Sequence, residues 1–139
     1  MPGGIWDQWR DDISHATTAA PGHPYPFRQL FAQDFYALSP YSVADGSWLA
    51  YQFHDAAHDV GAVLVYRRGG TPTATYQTQA MGGVAPTTTY CFSSWDGQGG
   101  AAVDPPTVAG SALAANGASV VVPAMPGAGV FTYAPCSAV

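Results

Sequence analysis

The sequence predicts an all-β domain: an antiparallel β-sandwich of about seven to eight short strands, with a short N-terminal helix. Lysine and glutamate, which favour solvent-facing helices, are absent from the 139 residues, and the charged residues are only arginine and aspartate. Threonine, tyrosine and valine are frequent, and 16 glycines and 12 prolines supply turns between short strands.

The chain divides into two predicted parts. Residues 1–33 are expected to form a helix and a linker, and residues 34–139 the sandwich domain, which is long enough to bury a core. The helix is predicted over residues 5–16, because Ile5, Trp9 and Ile13 recur every four residues and line one helical face. A helix so short that carries two tryptophans, Trp6 and Trp9, needs an apolar surface, either on a sheet of this domain or on a neighbouring domain.

After Arg28 the apolar pattern changes from a helical period to alternation, which predicts strands. The strongest two lie at 47–53 and 60–68, and the short polar connection 54–59 predicts that they form an antiparallel hairpin. The Asn116-Gly117 pair predicts a tight turn before the strand at 118–122. Further strands are predicted at 33–38, 73–80, 87–95 and 129–133.

Composition and charge exclude several classes of function. The net charge is −5 and four arginines are the only cations, so we expect no nucleic-acid partner. No run approaches the roughly 20 apolar residues that cross a bilayer, so we expect no membrane partner. The first residues lack the basic start and apolar run of a signal peptide. Either the protein is cytoplasmic or its true N-terminus lies upstream, so the localisation stays open.

The sequence contains few candidate site residues. His54 and His58 lie in the polar connection, where a solvated loop is a better interpretation than a metal site, and we expect no cofactor and no catalytic residue. Trp95 and Asp96, at a strand end, are a candidate sugar-stacking platform. Cys91 and Cys136 predict either a disulfide or two buried thiols. The aspartates are interpreted as turn residues rather than a catalytic pair: Asp34, Asp45, Asp55, Asp96 and Asp104.

Several segments resemble one family. Residues 34–41 (DFYALSPY) are similar to the D-F/Y-Y-P-L-T-P-Y segment that follows the barrel in bacterial α-galactosidase-like enzymes, glycoside hydrolase family 36 and relatives. Residues 48–53 (WLAYQF) and 63–68 (VLVYRR) resemble that family's W-x-A-Y-Q-F … G-x-V-x-x-F-R-R hairpin. Residues 90–97 resemble its Y-x-V-x-D-x-D-G strand. Its closing pattern is matched by Gly110, Leu113, Gly117, Val120, Pro123, Pro126, Val130 and Tyr133.

The resemblance implies a C-terminal sandwich packed against a preceding (β/α)₈ barrel, which carries the family's catalytic aspartates. The chain would then be a non-catalytic accessory domain that supports a catalytic barrel absent from it, and the helix at 5–16 would be the barrel's last. Ala37 replaces the family's usual proline, and Cys91 and Cys136 are not part of its pattern. The alternatives are a free-standing carbohydrate-binding or lectin-like module and an extracellular structural or adhesive protein.

Overall fold

A computed structural model describes residues 33–42, 44, 46–95 and 100–138. The predicted N-terminal helix and its linker lie outside the described residues. The strands are β1 Asp34–Ala37, β2 Trp48–Asp55, β3 Val60–Arg67, β4 Thr75–Gln77, β5 Thr89–Ser94, β6 Ala102–Val103, β7 Thr107–Ala109, β8 Ser119–Val121 and β9 Gly127–Pro135. A helix, α1, spans Gly110–Asn116, and a 3₁₀ turn spans Cys136–Ala138.

The nine described strands form two antiparallel sheets, which confirms the all-β prediction. One sheet has six strands in the order β1-β2-β3-β9-β5-β7, and the other has three in the order β4-β8-β6. The strand β9 therefore lies between β3 and β5, although it follows both in the chain. Neither described helix is long and apolar enough to cross a membrane.

The β2–β3 hairpin forms eight residue pairs in the six-stranded sheet. The register pairs Trp48 with Arg67 and Asp55 with Val60, so the strands run one or two residues from their predicted ends. Burial alternates along β2, with Trp48, Ala50 and Gln52 inside and their neighbours more exposed. This alternation directs one face of the sheet into the core and the other away from it.

The core lies between the two sheets and combines aliphatic and aromatic side chains from both. Val63 and Phe131, from neighbouring strands of the large sheet, are fully buried, as is Val120 from the small sheet. Leu113 of α1 joins the same cluster. Each fully buried side chain of this size contributes about 1.5–3 kcal/mol, so the sandwich is held mainly by this layer.

The structure corrects three local predictions. His54 and Asp55 are buried residues of β2, not part of a solvated connection, which the turn at 56–59 provides alone. Asn116-Gly117 ends α1 rather than making a hairpin turn: Gly117 has a φ of 75°, and its N–H donates to the Leu113 carbonyl. An Asn-Gly pair fits both structures, because both require a left-handed residue. The short strands β6 and β7 were not predicted.

Candidate functional site

A buried polar cluster occupies the core at the end of the sheet where β2 finishes. Gln52 and His54 point inward from β2, and Tyr133 reaches them from β9. Tyr90 of β5 and Asp59, from the turn between β2 and β3, complete the cluster. Strand alternation places these side chains together, since residues two apart on a strand share a face.

The hydrogen bonds of Gln52 determine which groups donate and which accept in this cluster. The Gln52 Nε2 donates to the Gly82 carbonyl at 2.8 Å and to the Tyr133 hydroxyl at 2.7 Å, while its Oε1 accepts from the Gly82 N–H at 3.0 Å. The Tyr133 hydroxyl therefore uses its one proton toward the His54 Nδ1, 2.7 Å away. It follows that the neutral His54 ring carries its proton on Nε2, which lies 3.6 Å from Asp59 Oδ1.

The environment of His54 disfavours its charged form. The side chain is 1% exposed, and desolvation lowers the pKa of His54 below 6.5, although Asp59, Asp34 and Asp55 oppose the shift. The imidazole stacks on Tyr133 with ring centroids 5.8 Å apart. The cluster thus holds a neutral imidazole as a hydrogen-bonding and packing group.

The two tyrosines are also held in their protonated forms. Burial raises the pKa of Tyr90 to about 12, and burial raises the pKa of Tyr133 well above its ordinary value of 10. The Tyr90 hydroxyl donates to Asp59 Oδ1 at 2.7 Å and accepts from the Ala85 N–H at 2.8 Å. These bonds tie β5 to the β2–β3 turn and to the loop before β5.

Glycines make room for this cluster. A Cβ at Gly61 would overlap the Tyr133 hydroxyl, and Gly83, with φ of 74°, would place a Cβ 2.6 Å from the His54 ring. Although tyrosine, histidine and aspartate together resemble a proton relay, His54 and both tyrosines are enclosed by protein. The arrangement therefore serves to join β2, β5 and β9.

The opposite end of the β2–β3 hairpin carries a second inter-sheet contact, centred on Arg67 of β3. Its Nη1 donates to the carbonyls of Val122 and Pro123 at 2.9 and 3.0 Å, and its Nε donates to Thr71 Oγ1 at 2.7 Å. The guanidinium lies 5.9 Å from the centre of the Trp48 ring. Backbone carbonyls thus satisfy much of this buried cation and fasten β3 to the loop after β8.

The outer face of the six-stranded sheet is apolar over β1, β2, β3 and β9. We call this surface the apolar outer face; register and burial assign to it Phe35, Leu49, Tyr51, Phe53, Val60, Ala62, Leu64, Tyr66 and Val130. Thr132 of β9, opposite Ala62, is the polar residue in the middle of this face and is buried. Phe35, Tyr51 and Tyr66 are 54%, 37% and 43% exposed, and Phe35 stacks on Tyr51 with centroids 5.6 Å apart. The outward residues of a sheet that faces water are usually polar. Because the outward residues of this sheet are apolar, the face is suited to contact another surface.

Of the sequence-predicted site residues, Trp95, Cys91 and Cys136 lie apart from the polar cluster. Trp95 is half-buried and packs with Phe53 and Val130 against Ala62 on the apolar outer face, while Asp96 lies outside the described residues. Of the two states that the sequence left open for Cys91 and Cys136, the structure contains the disulfide, with Cα atoms 5.0 Å apart.

The two histidines of the predicted connection separate. His58 is exposed and its Nδ1 lies 2.8 Å from Asp55 Oδ2, whereas His54 enters the core. The described residues contain no group of three or more metal-ligating side chains. Sequence reasoning missed the cluster of Gln52, Tyr90 and Tyr133. The alternation along β2 was the available signal. Positions 48, 50, 52 and 54 lie on the same face of the strand, and all four side chains are buried.

Comparison with known proteins finds no match: no protein-family model, no curated protein and no solved structure is similar to this chain.

Proposed function

We propose that this chain is the non-catalytic accessory sandwich of a glycoside hydrolase resembling the α-galactosidases, and that it supports a catalytic barrel outside the chain. The observation that carries the proposal is the role of the residues that resemble the family. In the structure, several of these residues contact the three-stranded sheet or the loops that follow its strands, whereas Phe35 and Tyr51 face outward.

The hairpin motif supplies most of these contacts. Trp48 stacks on Tyr76 of the three-stranded sheet with ring centroids 5.3 Å apart. Arg67 bonds to the carbonyls that follow β8, and Gln52 bonds to both backbone groups of Gly82. The residues that resemble the family are thus among those that hold this sandwich together. This supports a sandwich of the same kind in the family and in this chain.

The use of the ionisable side chains supports a non-catalytic role. His54, Tyr90 and Tyr133 are buried in the core, where Tyr133 bonds to His54 and Tyr90 donates to the half-buried Asp59, and Asp55 is buried against His58. General acid–base catalysis requires a group within hydrogen-bond reach of a substrate. The proposal therefore places the catalytic carboxylates on the barrel and assigns this domain a supporting role.

The direct test mixes the purified chain with the catalytic barrel of an α-galactosidase-like hydrolase whose own C-terminal sandwich has been deleted. We expect a one-to-one complex on size exclusion and a higher melting temperature for the barrel. Val63→Asp, which disrupts the core, is the control that abolishes both effects. Failure to bind or stabilise any barrel of the family overturns the supporting role. Turnover of an aryl α-galactoside by the chain alone, lost on changing one aspartate, overturns the non-catalytic role.

A specific observation favours a second candidate, a carbohydrate-binding module. Phe35, Tyr51 and Tyr66 expose aromatic surface, and aromatic rings stack on the C–H groups of sugars. Phe35 and Tyr51, however, stack on each other with an interplanar angle of 29°, which uses part of both rings. Saturable binding of an oligosaccharide that Tyr51→Ala removes would establish this candidate in place of the first.

A further inference from the structure

We propose that the apolar outer face is covered by the N-terminal segment of the same chain, through the stripe Ile5, Trp9 and Ile13 with Trp6 beside it. This inference goes beyond the proposed function, because it concerns the isolated chain and holds with or without a barrel. It identifies an intramolecular docking surface and its occupant.

The first argument is the chemistry of the surface. Phe35 and Tyr51 leave aromatic rings exposed, and Leu64 and Val130 are half-buried beside them. The only charged residue at an outward position of β1, β2, β3 or β9 is Asp55, which is buried at the edge of the face and bonded to its own turn. A surface whose one carboxylate is bonded at its edge matches an aromatic and aliphatic stripe rather than a polar ligand.

The second argument is the place where the segment joins the sheet. Residues 1–32 lead directly through Gln33 into β1, and β1 is the edge strand on the apolar half of the sheet. The opposite half, over β5 and β7, presents polar side chains outward, among them Ser93, Thr89 and Thr107. The segment therefore begins beside the half of the sheet that its apolar residues can cover.

The third argument is length. On a helix, Ile5, Trp9 and Ile13 are separated by about 6 Å each, close to the spacing of about 4.8 Å between neighbouring strands. The stripe thus spans about three strands, which corresponds to β1, β2 and β3. The 16 residues from 17 to 32 reach about 50 Å when extended, so the connection does not restrict the docking.

The helical period also places two of the segment's three aspartates away from this surface. On the predicted helix, Asp7 and Asp11 lie about 160° from Trp9, so docking by the stripe leaves both carboxylates in water, whereas Asp12 lies about 20° from Ile5, at the margin of the stripe. A second copy of the chain could cover the apolar outer face only with its own outer face or its own stripe. The stripe of the same chain binds in preference to a second copy, because an attached segment has a high effective concentration at the sheet.

The test is an NMR experiment on the full chain, labelled at its methyl groups and indole nitrogens. We expect nuclear Overhauser contacts from the Trp9 indole to the methyl groups of Leu64 and Val130, unchanged on dilution. Their absence overturns the proposal. Contacts that appear only between labelled and unlabelled chains in a mixed sample identify a second copy as the occupant and also overturn it.

Variants give an independent measurement. Trp9→Gln and Leu64→Gln should each lower the melting temperature, and the double variant should fall little further than the larger single effect, since both remove the same contact. The matched controls are Asp11→Asn, on the opposite side of the predicted helix, and Val121→Gln, which faces outward from the small sheet. Fully additive losses contradict docking. A barrel that fails to bind leaves these results unchanged, so the two proposals fail separately.

Discussion

The two sheets share one core but present different surfaces on their outer sides. The six-stranded sheet turns Phe35, Tyr51 and Leu64 outward, whereas the three-stranded sheet turns Thr75 and Gln77 outward. Both sheets bury their other faces in the same way, so packing of the core does not explain the difference. The comparison teaches that an alternating strand pattern locates the core but does not show whether the second face meets water or another surface.

The largest expected effect separates the inner face from the outer face of one strand. Val63→Asp places an unpaired carboxylate in the core and should cost several kcal/mol, enough to unfold most of the protein. Leu64→Asp, one residue away and facing outward, should cost less. Thermal unfolding followed by circular dichroism compares the two; equal losses would show that β3 is buried alike on both faces.

The next effect concerns the disulfide, which joins β5 to the turn after β9 on the larger sheet. The bond closes a loop across a sequence separation of 45, for which loop-closure entropy gives about 4 kcal/mol. Reduction, or the paired change Cys91→Ser with Cys136→Ser, should lower stability and raise amide exchange first in β5 and β9. Faster exchange in β4 and β8 than in β5 would contradict this assignment to the larger sheet.

A smaller effect compares the two outer faces directly. Leu64→Ala removes apolar contacts of a half-buried side chain and should lower the free energy of unfolding by about 1–2 kcal/mol. The same change at a fully buried leucine costs about 2–5 kcal/mol. Thr75→Ala, on the exposed face of the small sheet, should change stability by less than about 0.5 kcal/mol. Urea unfolding measures both. Similar values for the two variants would remove the distinction between the outer faces.

The smallest effect lies in the polar end of the core that both sheets enclose. Because burial lowers the pKa of His54 below 6.5, the unfolded chain takes up a proton before the folded chain does. The contribution of neutral His54 to the free energy of unfolding is complete above pH 6.5. It decreases as the pH falls from 6.5, the pKa in the unfolded chain, to the lower pKa in the folded chain. The melting temperature should therefore fall between pH 7 and pH 5, less steeply in His54→Gln. An imidazole that titrates above 6.5 by NMR would reverse the sign.

Sequence patterns were most informative where contacts are local. The β2–β3 hairpin was predicted within two residues, because its strands are rich in β-branched and aromatic residues and its turn is short. The helix α1 was missed, since a seven-residue element with Leu113 as its main apolar residue has too few turns to show a period. Asn116-Gly117 then favoured the wrong turn.

Contacts between distant residues could not be predicted. Gln52 and Tyr133 are 81 positions apart, and their hydrogen bond depends on the insertion of β9 beside β3. The alternation of apolar residues identifies a strand, but it does not show which other strands will pair with it. His54 was assigned to a solvated loop because its neighbours Asp55 and His58 are polar, while the alternation begun at Trp48 pointed inward.

The position of β9 also has a consequence for synthesis on the ribosome. The pairing of β3 and of β5 with β9 requires residues 127–135, so a nascent chain can form the β2–β3 hairpin long before either strand gains its inner neighbour. Until those residues emerge, β3 offers a free hydrogen-bonding edge beside an apolar surface, the combination that promotes association between chains. Ribosomes stalled before residue 127 should therefore display an aggregation-prone intermediate that a chaperone would hold.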